Sequence, residues 1–292
     1  MTNQTKNNFC PLTIGAFSHH VDGKNTTRKF GEYFERQILL PFAKQQERML
    51  RVWLPPGYFE EPEKRYPVLY MSDGQNLIDD VLTAFGSWHL DQVVDRLSKK
   101  GLRSPILVGI DCPKDPDERW AELHPPYAPK TPAWGNNPYG NKFVDYMADI
   151  VKPEIDATFR TLPDLLNTGI GGSSMGGIMA FYAYLYRKET FGFSLAFSIP
   201  VFTYTQAKWK RILAELGVNP EDGRKLAIFV GGVGFEKKFV KDTRFLVKYL
   251  RSLGFDETRL HNDEDLSKEH HEESWCAYAE PALEFWLKES NQ

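Results

Sequence analysis

The chain has 292 residues, 41% of them hydrophobic and 26% charged, with a formal net charge of −3. That balance is globular and excludes a disordered polyelectrolyte. The lack of a basic excess also excludes a general hold on nucleic-acid phosphates. Cys10, Cys112 and Cys276 lie far apart without zinc spacing, and an odd count argues against a disulfide framework. The opening MTNQTKNNFC has no cationic segment followed by an apolar one. No apolar run reaches the roughly 20 residues that span a bilayer. The expectation is a reduced, cytoplasmic protein without nucleic-acid or membrane partners, with self-association into a homo-oligomer left open.

Residues 1–34 are polar and turn-rich and are expected to form an arm ahead of one domain over 35–292. Two short apolar runs, 35–40 and 49–54, suit paired strands, the second stopped by Pro55, Pro56 and Gly57. YPVLYM at 66–71 and PILVGI at 105–110 are too short for helices and suit strands buried on both faces. Between them, 88–100 has helical spacing, with Leu90, Val93, Val94 and Leu97 on one face. Residues 113–142 are rich in Pro, Gly, Asn and aromatics and read as a long loop insertion. Helical spacing returns at 143–159, 176–187, 238–253 and 277–287. Strands are expected at 168–172, 193–198 and 226–230. This alternation predicts an α/β fold, a mostly parallel sheet with helices on both faces.

Gly172-Ser173-Ser174-Met175-Gly176 matches G-x-S-x-G at the junction of a short strand and a helix, where a nucleophile elbow sits. Only Ser174 fits the central position. A serine there stands at a helix N-terminus, where the amide of Met175 is free to stabilise negative charge on a substrate. The hydroxyl needs a base to take its proton. His261, His270 and His271 follow Ser174, and the last two stand in KEHHEESW just before the final helix. The acid is expected after the strand at 226–230, where Glu236 is the first carboxylate beyond a glycine-rich bend. Asp242 is the alternative, and Asp263 and Asp265 are more distant ones. Trp120, Tyr127, Trp134 and Tyr139, on the long loop, are candidates for a substrate wall. H-E-x-x-H and a strand-to-helix G-x-G-x-x-G are both absent from the sequence, so neither a metal nor a dinucleotide cofactor is expected.

Together these residues resemble the Putative esterase family of α/β-hydrolases, which includes feruloyl and acetyl-xylan esterases, esterase D, enterochelin-esterase-like proteins and the antigen 85 mycolyltransferases. The resemblance spans roughly residues 48–288. It is carried by RVWLPPGY at 51–58, YPVLYMSDGQNLID at 66–79, FVDYMADIVKPEIDATFRT at 143–161, the elbow, and HHEESW at 270–275. It implies the α/β-hydrolase fold and a serine esterase. It favours His270 over His271 as base, supports Glu236 as acid, and implies an oxyanion hole from the amides of Gln75 and Met175. The substrate implied is a small-acyl, carbohydrate or siderophore-type ester, cleaved through an acyl-enzyme. Acyl transfer with the same triad, or a silent scaffold used for binding, are the alternatives. Relatives commonly carry histidine where this chain has Ser72, which bears on substrate preference and not on the chemistry.

Overall fold

The computed structural model describes residues 17–19, 29–83, 85–127 and 137–288. The arm is therefore described only in part, and Cys10 and Trp134 lie outside the described residues.

The strands are β1 (Ser18–His19), β2 (Glu32–Leu39), β3 (Glu47–Leu54), β4 (Val68–Ser72), β5 (Ile106–Ile110), β6 (Thr168–Ser173), β7 (Phe193–Phe197), β8 (Lys225–Gly231) and β9 (Leu260–Asp265). They form one sheet in the order β1-β2-β3-β5-β4-β6-β7-β8-β9. The first three strands join antiparallel, and β5 through β9 run parallel. β4 lies between β5 and β6, so the chain crosses to one side after β4 and to the other after β5. At such a switch point the carboxyl ends of neighbouring strands open a crevice.

The strand period of two sorts the core. Val68 and Tyr70 of β4 face one cluster, which holds Phe143, Phe181 and Leu246. Leu69 and Met71 face the other, with Val93, Leu97, Trp275 and Trp286. Each such buried large apolar side chain stabilises the fold by about 1.5–3 kcal/mol. The helices that cover these faces are α1 (Leu90–Lys99), α2 (Pro116–Leu123), α3 (Gly140–Tyr146), α4 (Lys152–Thr158), α5 (Met175–Tyr186), α6 (Gln206–Glu215), α7 (Lys237–Ser252) and α8 (Glu272–Leu287). A π turn at Met147–Val151 joins α3 to α4, where Lys152 donates its amide to the Met147 carbonyl. Pro153, at the start of α4, has no amide to donate to the preceding turn. No described helix is long and apolar enough to cross a membrane.

Several elements differ from the sequence expectation. The segment 113–142 is not a plain loop: α2 occupies its first part, and α3 begins inside it. Pro116 at the first turn and the Asp115 side chain, accepting from the Asp117 amide, start α2. β9 and α6 carry too many polar residues to show as apolar runs. α8 begins at Glu272, five residues before the expected start, because His271 caps it by accepting the Glu273 amide.

A buried charge cluster fixes α2 to β3. Arg48 lies 3.1 Å from Glu122 and 3.7 Å from Glu118, all three nearly inaccessible to water. Burial pushes the Glu122 carboxyl up to about 7, with Arg48 opposing and Glu118 adding to the rise. The folded chain thus holds this proton more tightly than the unfolded chain. Stability falls as pH rises from the ordinary glutamate value of 4.5 through about 7. Glu122→Gln keeps the Arg48–Glu118 pair and removes the titration. The variant is expected to exceed the parent in stability by about 1 kcal/mol at pH 8, with the gain vanishing toward pH 5. Urea unfolding at the two pH values measures this.

Candidate active site

The elbow is built by contacts that only glycine permits. A Cβ on Gly172 would stand 2.7 Å from the Gly176 backbone, and one on Gly177 would stand 2.3 Å from the Phe197 carbonyl oxygen. This close packing turns β6 sharply into α5 and holds Ser174 at φ 56° and ψ −119°. A side chain rarely adopts that conformation, which costs of order 1–3 kcal/mol. The Ser174 amide secures it by donating to the Phe197 carbonyl at 3.0 Å, and its own carbonyl accepts from Ile178 at 3.1 Å. Met175 opens α5, so its amide has no partner within the helix.

Glu236 lies at the end of the turn Gly234–Glu236, wholly buried, and its Oε2 is 3.1 Å from Nδ1 of His270. A carboxylate only accepts, so Nδ1 donates, which in a neutral imidazole leaves the lone pair on Nε2. The other oxygen, Oε1, accepts from the Ser198 hydroxyl and from the Gly231 amide at 3.3 Å. The imidazole is wedged between Phe239, which stacks on it at 5.1 Å, and Trp275, edge-on at 5.1 Å. Of the glycines before Glu236, Gly231 and Gly232 serve close approach, whereas Gly234 serves the turn, at φ 57° with open space beside it. A Cβ on Gly231 would meet the Lys268 carbonyl oxygen at 2.5 Å and Glu236 Cγ at 2.9 Å. The loop bearing the acid and the loop bearing His270 can therefore lie against each other.

On the opposite side, Asp73 sits in the left-handed region at φ 54° and starts the turn Gly74–Asn76 that carries Gln75. Arg119 of α2 grips the Asp73 carboxylate through two bonds, 2.7 and 2.8 Å. Burial works against the guanidinium charge, but Asp73 holds its pKa above the ordinary arginine value. The Gln75 carboxamide is tied to Cys112, accepting its amide at 3.1 Å. Burial, and then the charge of Asp73, push the Cys112 thiol up to about 12, so it remains protonated and is no rival nucleophile.

Two cavities meet at Ser174. One, of about 530 Å³, is a cleft of mixed lining, where the charged Asp73, Arg119 and Glu272 stand beside the apolar Leu82, Phe85 and Trp88, with His270 at its wall. The other, of about 400 Å³, is lined by Trp120, Met175, Phe202, Phe235 and Phe239, with His124 and Lys238 at its wall. Burial brings His124 down to about 4, so it is neutral there, and its Nδ1 donates to the Trp120 carbonyl. Ser174 and His270 share the first cleft without a formed hydrogen bond between them. Such catalytic bonds commonly tighten only when substrate binds.

The structure thus gathers Ser174, His270, Glu236, Gln75, Met175 and Trp120 around one region. Of the alternatives, His271 lines the same cleft as Ser174 but has its Nδ1 engaged elsewhere, and the carboxylates of Asp263 and Asp265 have other partners. His271 caps α8, Asp263 pairs with His261 at 2.8 Å, and Asp265 accepts from Tyr278 and Ser267. Asp242, on α7, makes no hydrogen bond to His270. Tyr139 is absent from the walls of both cavities. It packs edge-on against Phe42 and donates to Glu118, anchoring α2 because the buried Arg48 cluster draws its hydroxyl inward. Tyr127 packs on Tyr182. Arg119 and Ser198 were not foreseen. A capped α2 beginning DPDER could have drawn attention to Arg119, whereas nothing in the sequence marks Ser198. Among the described residues no group of histidine, cysteine and carboxylate side chains is arranged to hold a metal.

The chain matches the family model described as Putative esterase over residues 43–275. It is 24% identical over 268 residues to the uncharacterized protein YbbA of Bacillus subtilis (strain 168), covering 85% of this chain and 96% of that one. Among solved structures it is similar to an IroE-like serine hydrolase from Shewanella oneidensis, with TM-score 0.67 and 19% identity, covering 87% of this chain and 80% of that one. It is also similar to the siderophore hydrolase EstA from Aspergillus nidulans, with TM-score 0.63 and 18% identity, covering 87% and 94%. At these identities the structural likeness establishes a shared fold.

Gly231→Ala is expected to destabilise the chain by about 1–3 kcal/mol through overpacking against the Lys268 carbonyl. Denaturant unfolding measures it, and an unchanged midpoint would contradict the close packing described.

Proposed function

We propose that this chain, which belongs to the Putative esterase family and is a carboxylic ester hydrolase, works through an acyl-enzyme on Ser174. His270 Nε2 takes the hydroxyl proton as Ser174 Oγ attacks the ester carbonyl carbon. Glu236 holds the imidazole by Nδ1 and stabilises the imidazolium. The oxyanion rests on the amides of Gln75 and Met175, each such donor lowering the barrier by roughly 2.7–4 kcal/mol. The alcohol departs with the proton from His270. Water then attacks the acyl carbon, gives its proton to His270, and frees the acid as the proton returns to Ser174.

The observation that carries this reading is the 3.1 Å pairing of His270 Nδ1 with a wholly buried carboxylate beside a strained Ser174. It also orients the substrate. The leaving oxygen must lie near His270, and His270 lines the cleft that also holds Asp73, Lys114, Arg119 and Glu272, so the alcohol belongs there. The acyl group then falls into the aromatic cavity, which Ser174 and Met175 border. The substrate class we infer is an ester between a small or moderate apolar acyl group and a polar alcohol of sugar or siderophore type. The siderophore hydrolase named above is consistent with it.

Ser174→Ala is expected to abolish hydrolysis of p-nitrophenyl esters and labelling by a fluorophosphonate, with the fold unchanged by circular dichroism. Retained turnover would remove the proposal. Phe202→Ala should reduce the preference for hexanoate over acetate esters by about tenfold in kcat/KM. Equal losses on both esters would instead assign the acyl group elsewhere.

A further inference from the structure

Ser198 follows β7 directly, is wholly buried, and holds φ 48°. For a residue with a side chain this left-handed conformation costs about 1–2 kcal/mol relative to the right-handed one. Glycine would meet the backbone need at less cost, so the hydroxyl has a use that offsets the strain. Its surroundings show the use. The Trp275 indole N–H donates to Ser198 Oγ at 2.9 Å. An indole nitrogen only donates, so Ser198 must accept there. The hydroxyl's single proton is thereby left for Glu236 Oε1, to which it donates. The Ser198 amide is itself fixed to the Phe229 carbonyl at 2.8 Å, so the donor cannot drift.

We infer that Ser198, with its hydroxyl rotor set by Trp275, is a positioning residue that locks the Glu236 carboxylate so that Oε2 faces His270. This rests on the triad reading above. Ser198 and the Gly231 amide occupy Oε1, which leaves Oε2 as the oxygen that meets Nδ1. Without the hydroxyl, the carboxylate keeps one long bond on that side and can turn about its last torsion. Its charge is also less dispersed and holds the imidazole proton more tightly. The imidazole also packs against Phe235, Phe239 and Trp275, and its open edge faces the cleft that Asp73, Lys114, Arg119, His271 and Glu272 line. Glu236 is therefore the charged group bonded to the ring. Trp275 contributes twice, by orienting the hydroxyl and by bordering the ring.

The test is steady-state hydrolysis of p-nitrophenyl acetate across pH by Ser198→Ala, Ser198→Gly, Trp275→Phe and Ser174→Ala. Both Ser198 variants should lose roughly tenfold to a hundredfold in kcat, the scale of a hydrogen bond to a charged group. KM should stay near the parent value, and the acid limb of kcat/KM should move to higher pH. Trp275→Phe should move in the same direction by less. Glycine suits the backbone at this position, so Ser198→Gly separates loss of the hydroxyl from loss of fold. A folded Ser198 variant with parental kcat and pH profile, while Ser174→Ala is inactive, would overturn the inference and leave the triad standing. If Ser174→Ala turns over like the parent, the triad reading itself fails, and the role of Ser198 with it.

Discussion

A carboxylate wholly withdrawn from water must find all its partners inside the protein, or it will neutralise itself. Glu236 is in that position, and the arrangement of the strand ends can be understood from what it needs. Its donors come from the end of β7 through Ser198, the end of β8 through Gly231, and the loop after β9 through His270. None of these segments is near another in sequence. The parallel registers of β7 with β8 and β8 with β9 bring their carboxyl ends level. The absence of a side chain on Gly231 lets the last gap close. Sheet order, register and one glycine thus set the pairing of acid and base before any substrate arrives.

The other half of the site depends on a second, part-buried ion pair. Asp73 and Arg119 join the turn after β4 to α2. α2 is in turn held from behind by Arg48 with its two glutamates. The turn that carries Gln75 is therefore supported by a chain of charges reaching back to β3. Trp120 comes next after Arg119 and points toward the aromatic cavity. One short helix so contributes to both walls, a cation to the mixed cleft and an indole to the apolar side. Preorganised groups of this kind need not rearrange as charge develops, which is the main source of their effect on a reaction.

Much of this was legible in the sequence, and the remainder was hidden for definite reasons. The strands 66–71, 105–110 and 226–230 are apolar on both faces, and the structure buries them as β4, β5 and β8 to within about two residues. The elbow was legible because its glycines are a steric requirement with fixed spacing. β9 was not: after the buried Leu260, LHNDED alternates half-buried and exposed positions at the sheet margin, and its polar residues hide the strand period. α2 was masked by the prolines around it, although its cap and first-turn proline are ordinary start signals. Ser198 left no trace, because one serine after a buried strand has no pattern. Its meaning arises only when Trp275, 77 residues on, is brought beside it.

The polar character of β9 has a consequence for how the molecule coexists with its own copies. An outermost strand offers unused peptide groups to any passing chain. Here its last residues run Asp263-Glu264-Asp265, with Asp263 held by His261 and Glu264 by Arg244. A second sheet approaching along this rim would have to strip water from those carboxylates and bring like charges together. The margin that hid from pattern recognition is thus also the one that discourages the sheet from extending into an aggregate.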